Sequence, residues 1–239
     1  MTSGSSVFAR SLFDLQVAFA EKAATLAGVP FERALLDYTN LYVRFGLGRD
    51  FDAEHPAWRS YLAGLRNAED RQEWTYRFYL EDAESRTAPA VVATFGCFSY
   101  AIRDDGRVRL HFRNVEPEDV SPLAASRADA RRVELRALFA HVRCRAGDEV
   151  PVLGASWLYN LDAYRRLFPP AYVSTARVLG GAYRSMALWG QLVDRHGEPR
   201  EPLVRRFRAA LARTERVADL DACFPFPVLT VTAPVRCFG

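Results

Sequence analysis

An α+β fold is predicted for this chain, with a helical N-terminal part packed on a small mixed or antiparallel sheet. Three observations predict it. Apolar residues recur at helical spacing over about the first 85 residues. A strictly alternating segment, Val108 to Phe112, follows the turn signal Asp104-Asp105-Gly106. A long amphipathic segment then separates this hairpin from a second apolar run. The change in pattern divides the chain into a helical region, 1–86, and an α+β region, 87–239, which we expect to fold as one cooperative unit.

The composition is that of a globular protein. The chain has 239 residues, of which 49% are hydrophobic and 26% charged, and its net charge is +3. The absence of a long uncharged apolar run excludes a membrane-spanning class. The small net charge makes nucleic-acid binding an unlikely role for the chain as a whole.

The N-terminus and the cysteines bear on location. No basic segment followed by an apolar one begins the chain, so we expect no signal peptide and a cytoplasmic protein with reduced thiols. The four cysteines are widely spaced and fit no zinc pattern, and no metal site is predicted. They are Cys97, Cys144, Cys223 and Cys237.

Four helices are predicted in the first region. The first runs from Val7 to Leu26 and stops at Gly28, and the second starts at Pro30 and ends at Gly46. The third and fourth have aromatic residues on one face. These aromatic residues are Trp58, Tyr61, Trp74 and Tyr79.

The second region begins with the predicted sheet. The segment from Val91 to Ile102 is apolar on both faces, which predicts a central strand paired with Val108–Phe112 in a hairpin. Ser126 and Asp129 have the spacing of a capping box and predict a helix that reaches Arg145.

A second apolar strand is predicted from Val150 to Tyr159. Asn160 or Asp162 then opens a short helix that stops at Pro169. A helix is also predicted from 182 to 193, another from 203 to 217, and a final strand from 226 to 235.

The first candidate site is a stripe on the second hairpin strand. Arg107, Arg109, His111 and Arg113 alternate with apolar residues and therefore lie on one face. Guanidinium and imidazole groups in this arrangement favour an anion, above all a phosphate group. The alternative is the solvated face of an edge strand, where charges prevent aggregation.

The second candidate site lies where the 150–159 strand ends and the next helix begins. Its residues are Trp157, Tyr159, Asn160 and Tyr164. Ligand clefts in open α/β sheets form at such strand ends. The alternative is that Trp157 and Tyr159 are core aromatics and that Asn160 caps the helix.

The order of hairpin, long helix, strand and short helix over residues 91–168 resembles the Gcn5-related N-acyltransferase fold. In this sequence Asn160-Leu161-Asp162-Ala163 stands where that family has Asn-x-x-Ala, and Phe168 is its distal aromatic residue. The resemblance implies an acyl-coenzyme A substrate that lies between the 107–113 and 150–159 strands. It further implies that Asn160 and Tyr164 orient the substrate, with Tyr164 as a general acid.

The resemblance also implies a pyrophosphate site at the start of the long helix. The family has the pattern Gln/Arg-x-x-Gly-x-Gly/Ala there, whereas this chain has no glycine between Ser126 and Arg131. Glycine permits a close approach of the backbone to phosphates. Arg127, Arg131 and Arg132 are therefore expected to bind the phosphates with their side chains.

The leading hypothesis is an acyltransferase-like enzyme that binds an acyl-coenzyme A or another phosphate-bearing small molecule. One alternative is a non-catalytic interaction protein that docks a partner or a second copy of itself through the aromatic face at Trp58 and Trp74. Another is a weak nucleic-acid binder that uses arginines of the last helix. Those arginines are Arg205, Arg208 and Arg216.

Overall fold

The computed structural model describes residues 7–81, 91–117 and 120–239, and its mixture of helices with one mixed sheet confirms the α+β class. The chain forms two compact units. A helical unit combines the described residues up to 81 with Gly181–Phe226, and a sheet unit combines the described residues 91–180 with Pro227–Gly239. The predicted boundary after residue 86 lies outside the described residues.

The helical unit differs from the predicted 1–86 region because Gly181–Phe226 belongs to it. Its helices are α1 (Arg10–Ala27), α2 (Phe31–Tyr38), α3 (Leu41–Arg44), α4 (Pro56–Asn67), α5 (Arg71–Glu81), α9 (Met186–Trp189) and α10 (Glu201–Arg213). The predicted second helix is two helices, because the chain turns at Asn40, whose amide donates to the Gln16 side chain over 2.9 Å. The predicted 182–193 helix is only a 3-10 turn, Ala182–Arg184, followed by α9.

The sheet unit contains one six-stranded sheet and three helices among its described residues. The strands are β1 (Ala93–Phe95), β2 (Phe98–Ile102), β3 (Val108–Phe112), β4 (Pro151–Ser156), β5 (Arg177–Val178) and β6 (Leu229–Pro234), and the helices are α6 (Ala128–Ala146), α7 (Asp162–Arg165) and α8 (Pro170–Val173). The strand order is β1-β2-β3-β4-β6-β5. Only β3 and β4 pair in parallel, and α6 provides the crossover between them.

Two strand predictions are wrong. The segment 91–102 is a hairpin rather than one strand, because the chain reverses at Gly96 and pairs Phe95 with Phe98. Gly96 has φ +56°, a value that favours glycine. The candidate stripe does not lie on an edge strand either, because β3 pairs with β2 on one side and β4 on the other.

The start of α6 also differs from the prediction. Ser126 belongs to a 3-10 turn, Ala125–Arg127, that precedes the helix, and no side chain caps α6. The capping box at Ser126 and Asp129 is therefore absent. The backbone takes over its role, since the amide of Ala128 bonds to the carbonyl of Ala125.

The core of the sheet unit lies on one face of the sheet. The inward residues of β2, β3 and β4 pack there with α6, α7, α8 and the C-terminal 3-10 turn. Phe98 contacts Phe168, Phe112 contacts Tyr164, and Phe139 stacks on Phe238 at 3.8 Å between ring centroids. This face holds the aromatic part of the second candidate site.

Gly96→Ala should destabilise the protein more than Gly106→Ala. Both glycines have positive φ, +56° and +77°, but a methyl group on Gly96 would overlap the Glu134 carboxylate, whereas one on Gly106 meets nothing within 4 Å. An alanine at positive φ lowers the free energy of unfolding by about 1–2 kcal/mol, and this cost applies to both variants. We expect the free energy of unfolding to fall by about 1–3 kcal/mol more in Gly96→Ala than in Gly106→Ala, which is the usual cost of overpacking. Chemical denaturation measures both, and equal losses would contradict the overlap.

Candidate functional site

The two parallel strands at the centre of the sheet separate after a short pairing. β3 and β4 pair only at Val108 with Val152 and at Arg109 with Leu153. Both strands continue for three residues beyond that point, to Phe112 and Ser156, and each stays paired with its outer neighbour. Beyond Arg109 and Leu153 the two strands are therefore not paired with each other, and we call the place between their carboxyl ends the crevice.

The main chain lines this crevice. The amide of Arg113 bonds to the carbonyl of Cys97 over 2.8 Å, and the amide of Val235 bonds to the carbonyl of Val150 over 3.1 Å. Antiparallel pairs alternate between bonded and non-bonded residues. This alternation directs the main-chain groups of Phe112 toward β4 and those of Ala155 toward β3, beyond the last residues of the parallel pairing.

Three buried tyrosines cluster over β4. The Tyr159 and Tyr172 hydroxyls are 3.1 Å apart, and the Tyr164 ring packs against the Tyr159 ring with 5.0 Å between centroids. They approach the strand at Gly154, where any side chain would overlap the hydroxyls of Tyr159 and Tyr172. Glycine at this position thus admits a buried row of hydroxyls against the backbone.

The tyrosines of this row are neutral. Tyr159, Tyr164 and Tyr172 are each at most 3% exposed, and burial raises the pKa of all three phenols above the ordinary value. A neutral phenol is the form that donates a proton. The predicted role of Tyr164 as a general acid agrees with this protonation state and stays a prediction.

The raised pKa values predict how stability changes in alkali. A phenol whose folded-state pKa lies above its unfolded value of about 10 stabilises the fold below that pH, and the contribution is lost as pH rises further. We expect Tyr159, Tyr164 and Tyr172 to ionise only when the protein unfolds. Phenolate absorbance and circular dichroism, followed together during a pH titration, measure this.

Tyr159→Phe provides the control for this titration. The variant should lose one tyrosine from the absorbance step that accompanies unfolding and leave the earlier steps unchanged. If the variant instead loses phenolate absorbance in a step that precedes unfolding, Tyr159 titrates in the folded protein.

The Asn160 side chain joins two segments of the chain by hydrogen bonds. Its side-chain amide donates to the carbonyls of Trp157, over 2.7 Å, and Pro227, over 2.8 Å. It thereby ties the 3-10 turn Trp157–Asn160 to the chain that enters β6. Substrate orientation by Asn160 stays a prediction.

The structure does not bring the two predicted sites together. Arg109 and His111 lie on the face of β3 opposite to Phe112, because neighbouring residues of a strand alternate in direction. Tyr159 and Tyr164 lie on the Phe112 face, packed against it. The two predicted groups therefore lie on opposite sides of one sheet, and Arg113 follows β3 as an exposed residue.

Arg131 is paired with carboxylates in the interior of the sheet unit, and its role as a phosphate ligand stays a prediction. Its side chain is 4% exposed, and its guanidinium bonds to Glu116 at 2.6 Å and Glu134 at 2.7 Å. It also donates to the Cys97 thiol. Arg131 therefore neutralises two carboxylates inside the sheet unit.

This charged cluster was not found from the sequence. Glu134 accepts from the Cys97 amide over 3.0 Å and so binds the β1–β2 turn to α6. Burial raises the pKa of the Cys97 thiol, which keeps it protonated. The spacing of Arg131 and Glu134, three residues apart on one helix, was the available signal.

Arg127 and Arg132 also have carboxylate partners. Arg127 lies 3.4 Å from Glu116, and Arg132 lies 2.8 Å from Asp129. Both arginines are more exposed than Arg131, and their role toward a ligand stays a prediction.

The aromatic face that suggested a docking surface is buried. Trp58, Tyr61 and Tyr79 are at most 2% exposed, and the Trp74 indole donates to the carbonyl of Tyr61 over 2.9 Å. These residues form the core of the helical unit. The interaction hypothesis depended on an exposed aromatic face, and three of its four residues are buried.

The arginines of the last helix remain at the surface. Arg205 and Arg208 are exposed on α10, whereas Arg216 follows the helix and pairs with Asp219 at 2.7 Å. Nucleic-acid binding through this face stays a prediction.

Two surface depressions occur in the helical unit. One is lined by Arg216 and Asp219 and the other by Glu21 and Arg71, and each of these pairs forms an ion pair. Opposite charges that neutralise each other offer little to a ligand. We place the candidate site at the crevice instead, because the main-chain groups of Phe112 and Ala155 lie there beyond the last pairs of the parallel strands.

None of the helices in the described part of the chain is both long and apolar enough to cross a membrane. No known protein family, curated protein or solved structure matches this chain.

Proposed function

We propose that this protein is an acyltransferase-like enzyme whose acyl thioester lies between β3 and β4. The divergence of the two strands after Arg109 and Leu153 carries the proposal. Ligands of open α/β sheets bind outside the carboxyl ends of the strands. The observed order of hairpin, α6, β4 and α7 is the order on which the family resemblance rests, and it supports the same function.

The crevice suits an extended ligand that carries amides. An extended chain can add to a strand edge through main-chain hydrogen bonds. The amides of Phe112 and Ala155 provide donors on the two walls. The pantetheine arm of an acyl thioester is extended and has two amide groups, so it can pair with both walls.

The transfer step needs a nucleophile and a proton donor. An amine nitrogen of the acceptor forms a bond to the acyl carbon, and the C–S bond breaks with its electron pair on sulfur. The proton that the nitrogen loses balances the one that the thiolate takes up. Tyr164, neutral, buried and packed against the side chain of Phe112, is the residue of this chain that we assign to that proton.

Isothermal titration calorimetry with S-acetylpantetheine tests the proposal. We expect saturable binding, and a rise in thermal stability of about 2.7 kcal/mol at a hundredfold excess over Kd. Tyr164→Phe should leave the affinity unchanged and lower the rate of acetyl transfer to an amine. No binding of S-acetylpantetheine or of acetyl-coenzyme A would contradict the proposed function.

A further inference from the structure

The start of α6 lacks the means to hold a diphosphate. Two amides at this start are already used, since Arg127 donates to the Ala124 carbonyl over 3.0 Å and Ala128 donates to the Ala125 carbonyl. A phosphate cradle at a helix N-terminus requires free amides. The 3-10 turn before α6 therefore takes up the amides of Arg127 and Ala128.

The charges at this helix start cancel. Arg127, Arg131 and Arg132 contribute three positive charges, and three carboxylates pair with them at 2.6–3.4 Å. These carboxylates are Glu116, Asp129 and Glu134. A diphosphate brought to these three arginines would meet no net positive charge from them and their partners, and it would have to displace a carboxylate from each arginine.

Asp129 adds a direct obstacle. It lies in the first turn of α6, and its side chain is 95% exposed. A carboxylate in the first turn already occupies the favourable end of the helix dipole. An incoming phosphate would be repelled at the point where the dipole would otherwise attract it.

One further arginine lies close to this helix start. Arg166, which follows α7, donates to the carbonyl of Leu123 over 3.4 Å. Because a carbonyl is neutral, it does not neutralise the Arg166 guanidinium. Arg166 is therefore the cation whose effect on binding must be measured.

We propose that the site recognises its donor through the pantetheine arm of the thioester and makes no use of a nucleotide diphosphate. This inference rests on the proposed function. The arm would be presented either as a free thioester or on a carrier protein, and both sources have the same extended, amide-bearing chemistry.

Affinity measurements with S-acetylpantetheine and acetyl-coenzyme A test this inference. We expect Kd values that agree within about threefold, a difference below 1 kcal/mol. We also expect little change in either Kd between about 50 and about 200 mM salt, because no exposed ion pair with phosphate forms. Arg166→Gln should leave both Kd values unchanged.

The outcomes separate the two proposals. Acetyl-coenzyme A that binds at least about tenfold more tightly, with an advantage that salt or Arg166→Gln removes, would overturn this inference and leave the proposed function intact. Failure of both thioesters would overturn the proposed function, and the inference with it.

A third probe distinguishes the two sources of the arm. The probe is an acyl carrier protein loaded with an acetyl group. Tighter binding than S-acetylpantetheine indicates a protein-borne arm, and equal or weaker binding indicates a free thioester. Either result agrees with recognition of the arm alone.

Discussion

Replacing Arg131 by methionine is expected to lower the free energy of unfolding by about 3–5 kcal/mol. The guanidinium is almost fully buried and neutralises Glu116 and Glu134. Methionine fills a similar volume, so the loss comes from the charges: Glu134 is left without its cation, and Glu116 keeps only the more distant Arg127 at 3.4 Å. Urea denaturation followed by circular dichroism measures the change.

Arg132→Met is the matched control, because Arg132 lies on the same helix turn and pairs with the exposed Asp129. An exposed pair contributes at most about 1 kcal/mol. Adding Glu116→Gln and Glu134→Gln to Arg131→Met should restore part of the stability, since neutral amides are less costly to bury. If Arg131→Met and Arg132→Met cost the same, the buried cluster would not exist in solution.

Gly154→Ala is expected to destabilise the protein by about 1–3 kcal/mol, the cost of overpacking a close-packed interior. The new methyl group would overlap the hydroxyls of Tyr159 and Tyr172, which are held together over the strand. Because Gly154 lies beside the crevice, the displaced tyrosines should also weaken the binding of S-acetylpantetheine. Denaturation and calorimetry measure the two effects.

The control for Gly154→Ala is the same substitution in a Tyr159→Phe, Tyr172→Phe background. Removal of both hydroxyls takes away the two closest atoms and leaves Cζ of residue 159 at 2.7 Å, so the alanine should cost less there than in the native sequence. A double-mutant cycle reports this difference as a coupling energy. Equal costs in the two backgrounds would contradict the close approach.

Local patterns were sufficient for much of the fold. The alternation of Val108–Phe112 and the turn at Asp104–Gly106 predicted the β2–β3 hairpin, and helical periodicity predicted α4 and α6 to within a few residues. The amphipathic segment after the hairpin predicted a helix, but not that this helix is a crossover between parallel strands. These features depend on residues close together in the chain, which is why the sequence contains them.

Features that depend on distant residues were not predicted. In the sequence, Gly96 is one small residue in an apolar run. The turn at Gly96 depends on the pairing of β1 with β2 and on the contact with Glu134. Arg131 was interpreted as a phosphate ligand because the family resemblance places a pyrophosphate site at the start of the long helix. Its partner Glu116 is distant in the sequence, and nothing local shows that both side chains are buried.

The candidate site was predicted in part. A ligand cleft was predicted at Tyr159 and Tyr164 and stays a prediction, whereas the burial of both residues agrees with the alternative of core aromatics. The stripe at Arg109 lies on the other face of the sheet. The divergence of β3 and β4 is a property of strand register, and neither strand alone contains it.

Hydrogen exchange of individual backbone amides tests the crevice most directly. In the free protein the amides of Phe112 and Ala155 should exchange faster than those of His111 and Gly154, which bond to β2 and β6. Saturation with S-acetylpantetheine should slow Phe112 and Ala155 and leave the other two unchanged. Four equally protected amides in the free protein, with no response to the thioester, would show that β3 and β4 form a closed sheet and would contradict the account.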